Sequence, residues 1–352
     1  MFLQGLRRHL RGRLIASAFV SLAALLVIFA TACGRTGPAS ETPANSQPRA
    51  GLPSGYPARP VEFVVPFNPG GGSDIFARTI AEMVRAEGLV RGTINVVNRP
   101  GGSGATGMAY VAGKRGDNYT LMTMVNDVIA GPIQSGSQIS YKNLTPIARL
   151  SMDQFLIIVH ADSPYRSIQD LVNAAKDRPG QINFAGTGIG APDSLLLALL
   201  ERATGTKFNY ISFQSGGEVN TALLGKQVDV ATANPTEVVS LLEAGQIRAL
   251  AVAGAERLKG LPDVPTLKET GIDVVFEQFR GVAGPPDMDP AVVEFWADVF
   301  KRLSESDRWQ REYVDANMQR SAFLDPDGFR AWLDEMDGLY RDLMADLGLV
   351  RE

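Results

Sequence analysis

The chain has 352 residues, with 34 Lys+Arg against 38 Asp+Glu, two His and one Cys. This length suggests about two domains with ample core. One Cys forbids internal disulfides and Cys-rich metal sites, two His disfavour a multi-histidine metal site or proton relay, and a net charge of −4 disfavours bulk nucleic-acid binding.

The N-terminus reads as an address. Arg7, Arg8, Arg11 and Arg13 precede an apolar run from Leu14 to Ala32, followed by Cys33. Basic start, apolar run and small residues form a secretory signal. Ala30 to Cys33 resembles a bacterial lipobox, with Ala where Leu is more usual, which implies cleavage before Cys33 and acylation of Cys33. An uncleaved membrane helix and a plain secretory peptide are the alternatives. Loss of residues 1–32 removes four Arg and no acid, taking the charge from −4 to −8. Residues 33–55 are small and polar and cannot bury enough surface to fold. They read as a flexible tether with a reach of about 25 Å.

From Tyr56 short apolar runs alternate with helical patterns. Strands are expected at Val61–Val65, Ile94–Asn98, Leu121–Val125, Phe155–Val159, Ile182–Ala185, Tyr210–Phe213, Val228–Ala231 and Ala249–Ala253. Helices are expected at Ile75–Ala86, Thr106–Lys114, Ser194–Ala203, Glu218–Leu224 and Thr236–Glu243, and Ser167 reads as the cap of one running to about Ala175. Alternation of this kind implies α/β architecture with largely parallel sheets. Near the C-terminus Phe329, Trp332, Leu333, Met336, Leu339, Tyr340, Leu343 and Leu347 recur at helical steps. They read as core, and Asp334, Glu335, Asp337 and Asp342 as the solvated face rather than a metal site.

Glycine-rich turns open several of these helices. Phe67-Asn68-Pro69-Gly70-Gly71-Gly72-Ser73-Asp74 follows a strand, as do Thr187-Gly188-Ile189-Gly190-Ala191-Pro192-Asp193-Ser194 and Gln214-Ser215-Gly216-Gly217-Glu218. A fourth turn is Asn98 to Gly104. Free N–H groups and the positive end of the helix dipole suit such places to an anion, and a carboxylate fits donors that are neutral. No phosphate-loop Lys and no GxGxxG follows. Ser103, Ser194 and Ser215 lack an evident partner base, and His160 reads as structural. No catalytic residue, metal or cofactor is assigned, and binding without chemistry is the simpler reading.

These motifs closely resemble one family. Tyr56-Pro57, Val64 to Asp74, Asn98-Arg99-Pro100-Gly101-Gly102, Leu223 to Asp229, Gly245 to Val252, Leu261 to Glu269 and Arg280 to Pro286 are similar to segments of the extracytoplasmic solute receptors of tripartite tricarboxylate transporters, the TctC-like or Bordetella uptake gene (Bug) family. The resemblance implies a two-lobed, type II periplasmic-binding-protein-like α/β fold with a hinge of two chain crossings. Lobe 1 would be residues 56–152 plus 281–352, and lobe 2 residues 153–280. It implies a monomeric, lipid-anchored extracytoplasmic receptor that takes an organic carboxylate, with a tricarboxylate such as citrate as one candidate. The cargo would pass to a membrane permease of one small and one large subunit. The site residues implied are Phe67, Asn68, Gly71, Gly72, Ser73 and Asp74 from one lobe. Thr187, Gly188, Asp193, Ser194, Ser215, Gly216 and Asn234 would face them, with Arg280 able to meet an extra carboxylate. Ser194, where many members carry His, and Phe213-Gln214-Ser215 depart from the common pattern. A sensory receptor for a membrane histidine kinase and, further off, an enzyme acting on a carboxylate are the rival readings.

Overall fold

The computed structural model describes residues 52–350 apart from 54; the signal, Cys33 and almost all of the tether lie outside the described residues. Among the described residues eleven strands divide between two sheets. The first elements are β1 (Val61–Val65), α1 (Gly72–Ala86), β2 (Ile94–Asn98), α2 (Ala105–Ala112), β3 (Thr120–Met124), α3 (Asp127–Ser135) and β4 (Thr145–Gln154). Next come β5 (Leu156–His160), α4 (Ile168–Asp177), β6 (Asn183–Thr187), α5 (Pro192–Thr204), β7 (Asn209–Phe213), α6 (Gly216–Leu224), β8 (Val230–Ala233), α7 (Pro235–Glu243) and β9 (Ile247–Val252). The chain ends with β10 (Glu277–Gly284), α8 (Pro290–Glu305), α9 (Asp307–Trp309), β11 (Arg320–Leu324) and α10 (Pro326–Asp346).

One lobe is built on the sheet β11-β4-β10-β3-β1-β2, the other on β7-β6-β8-β5-β9. The expectation of largely parallel sheets needs correction, because both sheets are mixed. β1 pairs in parallel with β2 and β3, and β6 with β7 and β8. Parallel pairing requires a crossover connection, which the intervening helices supply here. The strands next to the inter-lobe crossings, β4, β5, β9 and β10, pair antiparallel with their neighbours. They carry the chain out of one sheet and back, so they run against the local crossover direction.

Phe155 and Phe276 mark the two crossings and pack ring to ring at 5.7 Å. The Ala253 N–H donates to the Phe155 carbonyl at 2.8 Å, and the Phe276 N–H to the Ala253 carbonyl at 2.7 Å. A buried cluster runs through these rings from Phe279 and Phe329 on one side to Phe184 and Leu195 on the other. The α10 stripe buries Phe329, Leu333, Met336, Tyr340 and Met344. Asp337 departs from the expected solvated face: it is 8% exposed and accepts from Lys142 at 3.2 Å and Arg341 at 3.1 Å. No helix among the described residues is long and apolar enough to cross a membrane.

Candidate functional site

The glycine turns bring helix starts to the cleft between the sheets. α1 begins at Gly72 with Gly71 as its N-cap, and no side chain caps it. The Gly72 N–H donates instead across the cleft to Glu237 Oε1 at 2.6 Å. α6 begins at Gly216, and its N-cap Ser215 accepts the Glu218 N–H. The Glu237 carboxylate lies against Gly216, where a Cβ would collide with it. One side-chain carboxylate therefore sits between the starts of α1 and α6, in the place the local dipoles favour for an anion.

These helix starts enclose about 480 Å³ of atom-free space, part of it open to solvent. Phe67, Gly71, Gly72 and Ser73 line it from the first lobe and Thr187, Asp193, Ser215, Gly216 and Asn234 from the second, with Arg280 entering from β10. The remaining residues implied by the sequence do not line it. Asp74 accepts the Gly70 N–H at 3.0 Å, Arg78 Nε at 2.9 Å and Asn98 Nδ2 at 2.9 Å. Burial raises that carboxyl, but these donors outweigh it and hold its pKa below the usual range. Asp74 thus fixes the turn. Asn68 Nδ2 donates to Glu218 Oε1 of the other lobe at 2.5 Å. Ser194 Oγ donates to the Ala191 carbonyl at 2.8 Å inside its own helix turn. Gly188 has φ +64, and a Cβ there would strike Ser103, so it permits close approach of the lobes instead of facing the cavity.

Sequence reasoning missed Val125, Asp127, Thr232, Glu237 and Gln278, all of which line the cleft. Asp127 is the first residue of α3, a helix the pattern conceals because Gly131 and Pro132 interrupt it. Glu237 lies in the first turn of α7, three residues after Asn234, and that offset was the available signal. Asn234 Nδ2 donates to the Gln154 carbonyl at 3.2 Å, and its Oδ1 accepts from Gln278 Nε2 at 3.1 Å.

The cleft carries three carboxylates and one guanidinium. Arg280, 1% exposed, is paired with Asp153, 0% exposed, through Nε at 2.9 Å and Nη2. Burial lowers the guanidinium pKa, and attraction from Asp153, Tyr313 and Glu237 more than restores it, leaving it raised and charged. Arg280 Nη1 is buried without a hydrogen-bond partner. Asp193 accepts from Thr187 Oγ1 at 2.5 Å and from Thr232 Oγ1. Burial nonetheless raises its pKa. Glu237 is pushed up to about 7 by burial, against the opposing Gly72 N–H and Arg280, with Asp193 and Asp153 adding repulsion. Asp127 is pushed up to about 8, first by burial and then by Asp193. No cluster of three or more metal-ligating side chains occurs among the described residues.

Residues 76–324 match the sequence profile of the tripartite tricarboxylate transporter family receptors, TctC. The chain belongs to this family. The match runs from α1 to β11 and so includes both sheets. Protein BugT of Bordetella pertussis is 30% identical over 243 residues, covering 68% of this chain and 74% of BugT. The structure of the periplasmic binding protein BugD superposes with a TM-score of 0.79 at 27% identity, covering 84% of this chain and 100% of BugD. A TctC solute-binding protein from Polaromonas, solved without ligand, gives 0.60 at 30% identity over 83% of this chain and 99% of its own. The two-lobed fold expected of a TctC receptor is thereby shown, and the family is one of solute-binding receptors.

Proposed function

We propose that this TctC-family chain is an extracytoplasmic receptor that closes on a small organic carboxylate and presents it to a tripartite tricarboxylate transporter permease, without turning it over. One observation carries the reading: Arg280 Nη1, buried and unpartnered, shares its cleft with the starts of α1 and α6, which come from different lobes. Such donors favour a carboxylate, and a charge-assisted bond to guanidinium is among the stronger ones available. Residues 56–152 with 281–352 and residues 153–280 are the lobes of this reading, and Phe155 and Phe276 its hinge. A lipid at Cys33 would keep the receptor beside the permease.

Thermal unfolding of the purified protein against mono-, di- and tricarboxylates, sugars and metal ions tests this. A ligand at 100 times its dissociation constant stabilises by about 2.7 kcal/mol, a shift of several degrees. At least one carboxylate is expected to produce it. Response to a sugar or a metal alone, with none to any carboxylate, would sink the proposal.

A further inference from the structure

We infer that the ligand carries a protonated amine as well as a carboxylate, with the amine seated on Asp127; this rests on the carboxylate-receptor reading above. Four ionisable groups line the cleft: Asp127, Asp193, Glu237 and Arg280. The only cation among them is already balanced by Asp153. Where these acids are ionised, a ligand made of carboxylates alone would bring further negative charge to them.

The polar atoms sort into two ends. At one, Arg280 packs against Gly72, and Glu237 accepts the Gly72 N–H and lies against Gly216. Asp127 and Asp193 influence each other and stand with Thr187 and Thr232. At the first end a buried donor, Arg280 Nη1, lacks an acceptor; at the second a buried acceptor, Asp127 Oδ1, lacks a donor. Asp127 is 8% exposed, so bulk water does not serve it freely. The nearby hydroxyls of Thr187 and Thr232 are committed to Asp193. Tyr210, which also feels Asp127, donates to the carbonyls of Thr187 and Gly188. Tyr340 meets Asn126 and leaves the same oxygen unserved. An unpaired buried acceptor is costly, so the missing donor belongs to the ligand. An ammonium group supplies several N–H donors and a positive charge at that end, while the carboxylate of the same molecule accepts from Arg280 Nη1.

Calorimetric titration of the full chain with matched acids at pH 8 tests the inference. Succinate is compared with aspartate, and glutarate with glutamate, each pair differing by one amine. The amino member is expected to bind about 10–100 times more tightly, the worth of a charge-assisted hydrogen bond. Asp127→Asn is expected to cut that preference at least tenfold. The N-trimethyl analogue of glutamate, charged but without N–H, is expected to bind the wild type more weakly than glutamate, which keeps the test decisive if the variant does not fold. Amine-free acids binding as tightly as their amino partners would overturn the inference and leave the carboxylate reading standing; that result fits a protonated Asp127 donating to a carboxylate. Failure of all four acids would overturn the inference, and the carboxylate reading falls with it only if the mono- and tricarboxylates of the thermal screen fail too.

Discussion

Asp127 and Glu237 bind their protons more tightly in the folded chain than in an unfolded one. Their ordinary pKa values lie near 4, and burial pushes them up to about 8 and about 7. A carboxyl raised on folding contributes full stability below its unfolded value, and that contribution is lost as pH rises toward the folded value. The empty receptor should therefore lose stability between about pH 4 and pH 8. Glu62, Asp74 and Asp117 act in the other direction: their donors hold them low, so their contribution is lost only as pH falls below the ordinary carboxylate range. Denaturant unfolding without ligand is expected to show greater stability at pH 5 than at pH 8. Asp127→Asn should gain about 1–3 kcal/mol more at pH 8 than at pH 5, because it removes a charge that burial disfavours. A wild type that grows more stable from pH 5 to pH 8 would refute this account. Neither acid stands out in the sequence. Val125-Asn126-Asp127 has no glycine to mark a functional turn, and Glu237 looks like any acid in a first helical turn. What distinguishes both is burial across a cleft, which depends on the other lobe.

At the scale of elements, periodicity places most strands within a residue or two and misplaces helix starts in one direction. The pattern predicts helices from Ile75, Ser194 and Glu218, whereas the structure begins them at Gly72, Pro192 and Gly216. Glycine and proline read as turn, yet the first turn of a helix needs no intrahelical N–H bonds and tolerates both. Those hidden first turns hold the cleft-lining residues, so the candidate site was legible as a set of loops and less so as helix ends. β4 and α3 escaped the pattern for other reasons. β4 carries Arg149, Asp153 and Gln154, whose polarity hides a strand, although Asp153 is paired with Arg280 inside the fold. The Gly72 start also makes a packing claim. A Cβ on Gly72 would lie 2.5 Å from Arg280 Nη2 and 3.0 Å from its Cζ. The guanidinium is pinned by Asp153 and has nowhere to swing. Gly72→Ala is expected to cost about 1–3 kcal/mol by overpacking, measured by urea denaturation. A cost below about 0.5 kcal/mol would mean that Arg280 moves freely and does not hold a fixed place in the cleft.

For the whole molecule, the balance between open and closed lobes sets what ligand must supply. Hydrogen bonds span the lobes without any ligand, among them Asn68 to Glu218, the Gly72 N–H to Glu237, and Gln319 Nε2 to Thr236 Oγ1 at 2.6 Å. Under the proposed hinge each favours closure of the empty receptor, and ligand shifts the balance only by its extra contacts with the closed form. Asn68 isolates this effect because it lies off the cleft lining, so its loss leaves the ligand's own contacts intact. Glu218 keeps the Gln214 N–H at 3.0 Å when Asn68 is removed, which limits the damage to the second lobe. Asn68→Ala should open the ligand-free receptor, raising its radius of gyration in X-ray scattering, while the liganded form keeps the wild-type value. Affinity should fall about 3- to 10-fold, since the closed, binding-competent fraction shrinks by the worth of one partly buried hydrogen bond. Unchanged affinity together with an unchanged ligand-free radius would show that this bond has no part in closure, leaving it to the other bonds across the lobes and the packing around Phe155 and Phe276.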